Sequence, residues 1–85
     1  MDMAVYVGER TFAQPVSLDA FQQGGVKLVE CIARHDIQWL GSHLAKDGLR
    51  SICLFEAADA ERIREAANTA GVPFDRVWAA DVMAP

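Results

Sequence analysis

Hydrophobic spacing divides the chain into six blocks. Met3 to Thr11 is a short strand in which Val5, Tyr6 and Val7 supply β-prone side chains, and Gln14-Pro15 closes it. The spacing then lengthens: Leu18, Phe21, Gly25, Leu28 and Ile32 step by three and four residues, the seam of one helix. Ser17 stands where the N-cap of that helix belongs, Asp19 lies in its first turn, and Arg34-His35 sit at the end where the helix dipole favours positive charge. Gly24-Gly25 weakens the helix by about 1 kcal/mol per glycine relative to alanine, so the pair marks a close packing contact or a bend.

Ile37 to Ala45 and Leu49 to Glu56 read as two further strands joined through Asp47-Gly48, the dipeptide favoured in two-residue type I′ hairpins because both positions need positive φ. Asp59 caps a second helix with Glu61 in its first turn and Ile63, Ala66, Ala67 and Ala70 on its inner face; Gly71 stops it and Pro73 prevents continuation. Arg76 to Val82 is the last strand. The order β-α-β-β-α-β predicts an α+β, ferredoxin-like fold, with two helices on one face of a four-stranded antiparallel sheet. With no linker or repeat, residues 1–85 form a single domain.

A two-residue loop at Asp47-Gly48 pairs Ser42 with Cys53, His43 with Ile52, Leu40 with Phe55 and Trp39 with Glu56. One sheet face then carries Leu40, Ser42, Leu44, Ser51, Cys53 and Phe55. The other carries Trp39, Gly41, His43, Arg50, Ile52, Leu54 and Glu56. Two helices cover one face, and the Cys53 face is the one expected beneath them. The remaining face presents an apolar patch of a size that soluble monomers rarely expose, so the chain is expected to form a homodimer through that face or through its edge strand.

Composition narrows the function. Of 85 residues, 52% are hydrophobic and 24% charged, the balance of a globular domain. The net charge of −4 argues against nucleic acid, whose phosphates call for clustered Lys and Arg. No apolar run is long enough to span a bilayer, and Asp2 and Glu9 stand where a signal peptide would be basic. Two cysteines, Cys31 and Cys53, fit a reducing compartment, and a cytoplasmic location is expected. They read as small buried hydrophobes, with a disulfide or a reactive thiol as the alternatives.

Candidate chemistry rests on few residues. His43, in mid-strand, has the titration range of a general acid/base or a metal ligand; the alternative is a hydrogen-bonded histidine near the hairpin. Glu56 emerges from an apolar strand and is the second acid/base candidate, or else the partner of a helix arginine such as Arg64 or a solvated strand end. Tyr6, Trp39, His43 and Glu56 are the candidate lining of a ligand cleft. His35, His43, Cys53 and Glu56 are the candidate metal ligands, with Asp36 beside His35. In the expected register His43 and Glu56 lie about 13 Å apart at ~3.3 Å per residue, too far to share one ion within a protomer.

Trp39-Leu40-Gly41-Ser42, Asp47-Gly48, Cys53-Leu54-Phe55-Glu56-Ala57 and Glu61-Arg62-Ile63-Arg64-Glu65-Ala66-Ala67, running into Ala70-Gly71-Val72-Pro73, resemble a family of small domains of unknown function, some of whose members are described as nickel-binding. The resemblance spans about residues 3 to 82 and implies a ferredoxin-like fold that is commonly dimeric. It also implies a His-x-x-x-His pair on the second helix, a spacing that puts two imidazoles on one helix face. The matching positions here are Ala66 and Ala70. Three functions stay open: a homodimeric binding protein for nickel, another divalent metal or a small ligand; a small cofactor-independent enzyme of the dimeric α+β-barrel kind using Glu56 or His43; and an interaction domain without ligand.

Overall fold

The computed structural model describes residues 3–85; Met1 and Asp2, the latter part of the N-terminal charge pattern noted above, lie outside them. Six elements follow in the expected order: β1 (Ala4–Thr11), α1 (Leu18–Ala33), β2 (Gln38–Leu44), β3 (Arg50–Ala57), α2 (Ala60–Ala70) and β4 (Arg76–Ala80). The strands form one antiparallel sheet in the order β2-β3-β1-β4, the ferredoxin-like arrangement. The local signals act where the sequence puts them. Ser17 Oγ accepts the Ala20 N–H at 3.1 Å, Asp59 Oδ1 accepts the Arg62 N–H at 2.9 Å, and α2 ends on Gly71.

Both helices lie on the Cys53 face, as expected. Phe55, Ala57, Ile63, Ala66 and Ala67 have no solvent exposure, and Leu28, Ile32, Cys53 and Val77 complete the core. The alanines on the inner face of α2 let its backbone come close to β3. The first half of α1 behaves differently. Its only buried residues are Leu28 and Ile32, both toward its C-terminal end, while Leu18 at its start is 59% exposed. The front of α1 therefore stands off the sheet.

Two expectations at the β2–β3 hairpin need correction. The loop is not a two-residue type I′ turn. The Ala45 N–H donates to the Arg50 carbonyl and the Gly48 N–H to the Ala45 carbonyl, and of Asp47 and Gly48 only Gly48 has positive φ, at 72°. The Asp47 carboxylate accepts the Leu49 N–H at 3.0 Å, an Asx-type closure that lets Asp47 keep an ordinary conformation. Lys46–Leu49 thus form a four-residue loop. It preserves the pairing of Ser42 with Cys53 and His43 with Ile52.

The second correction lies further along. A bulge between Trp39 and Gly41 shifts the register, so Trp39 pairs with Phe55 and Gln38 with Glu56; the expected Leu40–Phe55 and Trp39–Glu56 pairs do not form. Leu40 is the extra residue, and Gly41 takes φ 143°, a conformation glycine supplies without strain. Because side chains alternate along a strand, one inserted residue moves Trp39 to the helix side of the sheet.

The bare face is built mainly by β1, β3 and β4. Val7 stands opposite both Leu54 and Trp78, and Val5, Ile52 and Ala80 extend the patch. Val7 is only 5% exposed although no helix covers it, because its cross-strand neighbours close over it. Glu9 organises one edge: its Oε2 accepts the Trp78 indole N–H at 2.7 Å and lies 3.4 Å from Arg76 Nε. No helix among the described residues is long and apolar enough to cross a membrane.

Candidate functional site

The stand-off of α1 opens a cavity of about 700 Å³ between that helix and the sheet. Phe21, Leu28 and Ile32 line it from the helix, Trp39, Ser42 and Cys53 from the sheet, and Phe12, Val16, Val72 and Phe74 from the loops. Its size falls within the range of small-molecule pockets, as does a mainly apolar wall with a few polar groups. Phe74 packs edge-on to Phe55, with ring centres 5.7 Å apart.

Gly24 and Gly25 lie on this wall, and their surroundings depart from expectation. A methyl group added at Gly25 would meet nothing within 4 Å, and one at Gly24 only a Val72 side-chain carbon at 3.7 Å. No packed neighbour in the protomer requires either glycine, although each weakens the helix. What they provide is free space along the cavity.

The polar corner of the cavity is on the sheet. The Trp39 indole N–H donates to Ser42 Oγ at 2.9 Å, and Ser42 stands opposite Cys53. Arg10, on the helix side of β1, places its guanidinium carbon 4.8 Å from the centre of the Phe12 ring. Burial pushes the Cys53 thiol above its ordinary value, and the neighbouring Ser42 hydroxyl and the Arg10 charge oppose that push without cancelling it. Cys53 is therefore a protonated, weakly nucleophilic group near neutrality. Both cysteines are free, so the disulfide alternative is not realised.

This shift predicts a pH dependence. With its pKa raised on folding, Cys53 contributes stability that is complete below the ordinary thiol value of 9.0 and lost as pH rises through the folded value. Urea unfolding should show a smaller alkaline loss for Cys53→Ala than for the wild type between pH 7 and about pH 10. Equal losses in the two proteins would refute this assignment.

The residues singled out from sequence are distributed as follows. Tyr6 and Trp39 are on the helix side of the sheet, where Tyr6 packs against the core and Trp39 lines the cavity. His43 and Glu56 pair with Ile52 and Gln38 and occupy the opposite side. The four do not share one surface. Glu56 has no ion pair with Arg64, which instead approaches Glu61 at 3.7 Å and donates to the Val77 carbonyl at 3.1 Å. His35 Nδ1–H donates to the Cys31 carbonyl at 2.9 Å and closes the last turn of α1. Asp36 follows it with φ 55°.

His35, His43, Cys53 and Glu56 do not converge. Among the described residues no group of three or more His, Cys, Asp or Glu side chains is arranged to hold a metal ion. Ala66 and Ala70 present methyl groups, and Ala66 is fully buried. This donor set does not fit nickel on α2. Sequence patterning places Phe21 on the helical seam but does not single out Arg10, Phe12 or Phe74 in the cavity or Trp78 on the bare face. Large apolar residues in the loops flanking the helices were the available signal.

Comparison with known proteins agrees with this architecture. The crystal structure of SCO4226 from Streptomyces coelicolor A3(2) superposes with a TM-score of 0.87 at 15% sequence identity, covering 95% of this chain and all of that one. No match is found among curated proteins. Residues 6–79, which include both helices and most of the sheet, match the family described as nickel responsive protein SCO4226-like, and the chain therefore belongs to that family.

Proposed function

We propose that the protein is a homodimeric small-ligand-binding module whose ligand occupies the cavity between α1 and the sheet. The observation that carries this reading is that cavity of about 700 Å³, lined by the unconstrained glycines of α1. Binding is favoured over acid–base catalysis because neither Glu56 nor His43 lines the cavity and its one thiol is held protonated. Although the family is described as nickel-responsive, Ala66 and Ala70 give α2 no imidazole with which to hold an ion.

Gly25→Leu tests the cavity directly. Leucine raises helix propensity by about 0.8 kcal/mol, so the variant should fold with unchanged or greater stability while its side chain fills the space. The wild type is expected to bind the dye 8-anilinonaphthalene-1-sulfonate saturably, and Gly25→Leu to lose at least tenfold in affinity. Wild-type affinity in a folded Gly25→Leu protein would overturn the reading.

The second copy is assigned to the bare sheet face. An apolar centre of Val7, Ile52, Leu54 and Trp78 is bordered by Glu9 and Arg76 on one side and by Glu56 and Arg50 along β3, so charges of both signs are available for a two-fold, self-complementary contact. Leu54→Glu should yield a monomer in sedimentation experiments where the wild type is a dimer, with dye binding retained. A monomeric wild type at high micromolar concentration would rule out this interface.

A further inference from the structure

The class of ligand can be read from the charge on the sheet side of the cavity, an inference that rests on the cavity being a binding site. Arg10 and Glu30 are the charged residues among its lining side chains. They differ in setting: Glu30 is exposed on α1, whereas Arg10 is half-buried on the helix side of β1. None of the ion pairs among the described residues involves Arg10. Its guanidinium rests against the Phe12 ring, a contact that attracts the cation but uses none of its N–H donors.

Asp75 is an acidic group close enough to feel the Arg10 charge, yet it forms no ion pair with Arg10 and does not line the cavity. Its Oδ2 accepts the Thr11 N–H at 2.6 Å and the Thr11 hydroxyl at 2.9 Å. Ser42 Oγ accepts the Trp39 indole N–H and its own hydroxyl faces the Cys53 thiol, so Arg10 is the group on the sheet side left to receive an anion. The remainder of the wall is apolar or neutral. A guanidinium without a carboxylate partner, at the edge of an apolar chamber, matches a molecule with an apolar body and a single anionic end.

We infer that the cavity takes an amphipathic monocarboxylate, its hydrocarbon part lying along the Gly24–Gly25 face of α1 and its carboxylate received by Arg10. The probes are decanoate and decanol, which share a hydrocarbon chain and differ at the head group. Calorimetric titration of the full chain should show decanoate binding about ten- to a hundredfold tighter than decanol, the value of one charge-assisted contact. In Arg10→Gln the acid should fall to the affinity of the alcohol, and the alcohol should be unchanged. Arg10→Lys, which keeps the charge, should retain part of the preference. Raising salt should weaken the acid and spare the alcohol in the wild type alone, a readout that needs no variant.

Equal affinities for the two probes in the wild type, or an undiminished preference in Arg10→Gln, would overturn the carboxylate assignment and leave the cavity reading intact. Failure of both probes to bind, together with dye binding that survives Gly25→Leu, would overturn the cavity reading itself.

Discussion

Phe55→Ala should abolish cooperative unfolding or move the urea midpoint close to zero. Phe55 has no exposed surface and sits where β3, α2 and the Phe74 ring meet. Truncating a buried phenylalanine costs about 3–5 kcal/mol, from lost transfer energy and the void left behind. A chain of this length has a total stability of about 4–13 kcal/mol, so the lower part of that range is exhausted by one substitution. Local collapse offers little relief, because the opposing residues Ile63, Ala66 and Ala67 are already buried and two of them carry only a methyl group. A loss below about 1 kcal/mol in urea unfolding would mean that the core is not centred on this ring.

Gly48→Ala is expected to cost about 2–4 kcal/mol, a large effect for one added methyl, because Gly48 is buried against the Pro15–Val16 backbone. Two terms contribute. At φ 72° an L-residue with a β-carbon pays about 1–2 kcal/mol for the left-handed conformation. The new carbon would also lie 2.6 Å from the Val16 carbonyl oxygen and 2.8 Å from its nitrogen, both backbone atoms that no rotamer change can move. Relief requires the Pro15–Val16 segment to withdraw, breaking the bond from the Val16 N–H to the Gly48 carbonyl. Gly48→Asn separates the terms, since asparagine tolerates the dihedral but keeps the β-carbon. Asn and Ala variants of equal stability would assign the loss to contact with Val16. Full recovery in the Asn variant would assign it to the dihedral and remove the contact from the account.

The order of elements was legible because its signals are local. Ser17, Asp59 and Gly71 each act within one helical turn, and the Asp47-Gly48 pair set the loop position and the pairing of Ser42 with Cys53 even though the turn type differed. What was illegible depends on through-space relations. The bulge at Leu40 leaves no trace in β-propensity, because the residues from Gln38 to Leu44 read as strand in either register; Gly41 alone hinted at a special dihedral. That single inserted residue is why Trp39 was expected beside His43 and Glu56 and instead faces α1. The cavity was hidden for a related reason. Helical spacing identifies the inner seam of α1 but not its distance from the sheet, so the glycine pair reads as a contact point or a bend, whereas it borders open space.

With Trp39 on one side of the sheet and Trp78 on the other, the molecule carries an intrinsic fluorophore for each of its two proposed binding surfaces. A change in emission confined to Trp39 reports an event beneath α1, and one confined to Trp78 reports an encounter with another subunit. Phenylalanine at either indole position isolates the remaining signal, so ligand uptake and self-association can be followed separately in one unlabelled sample.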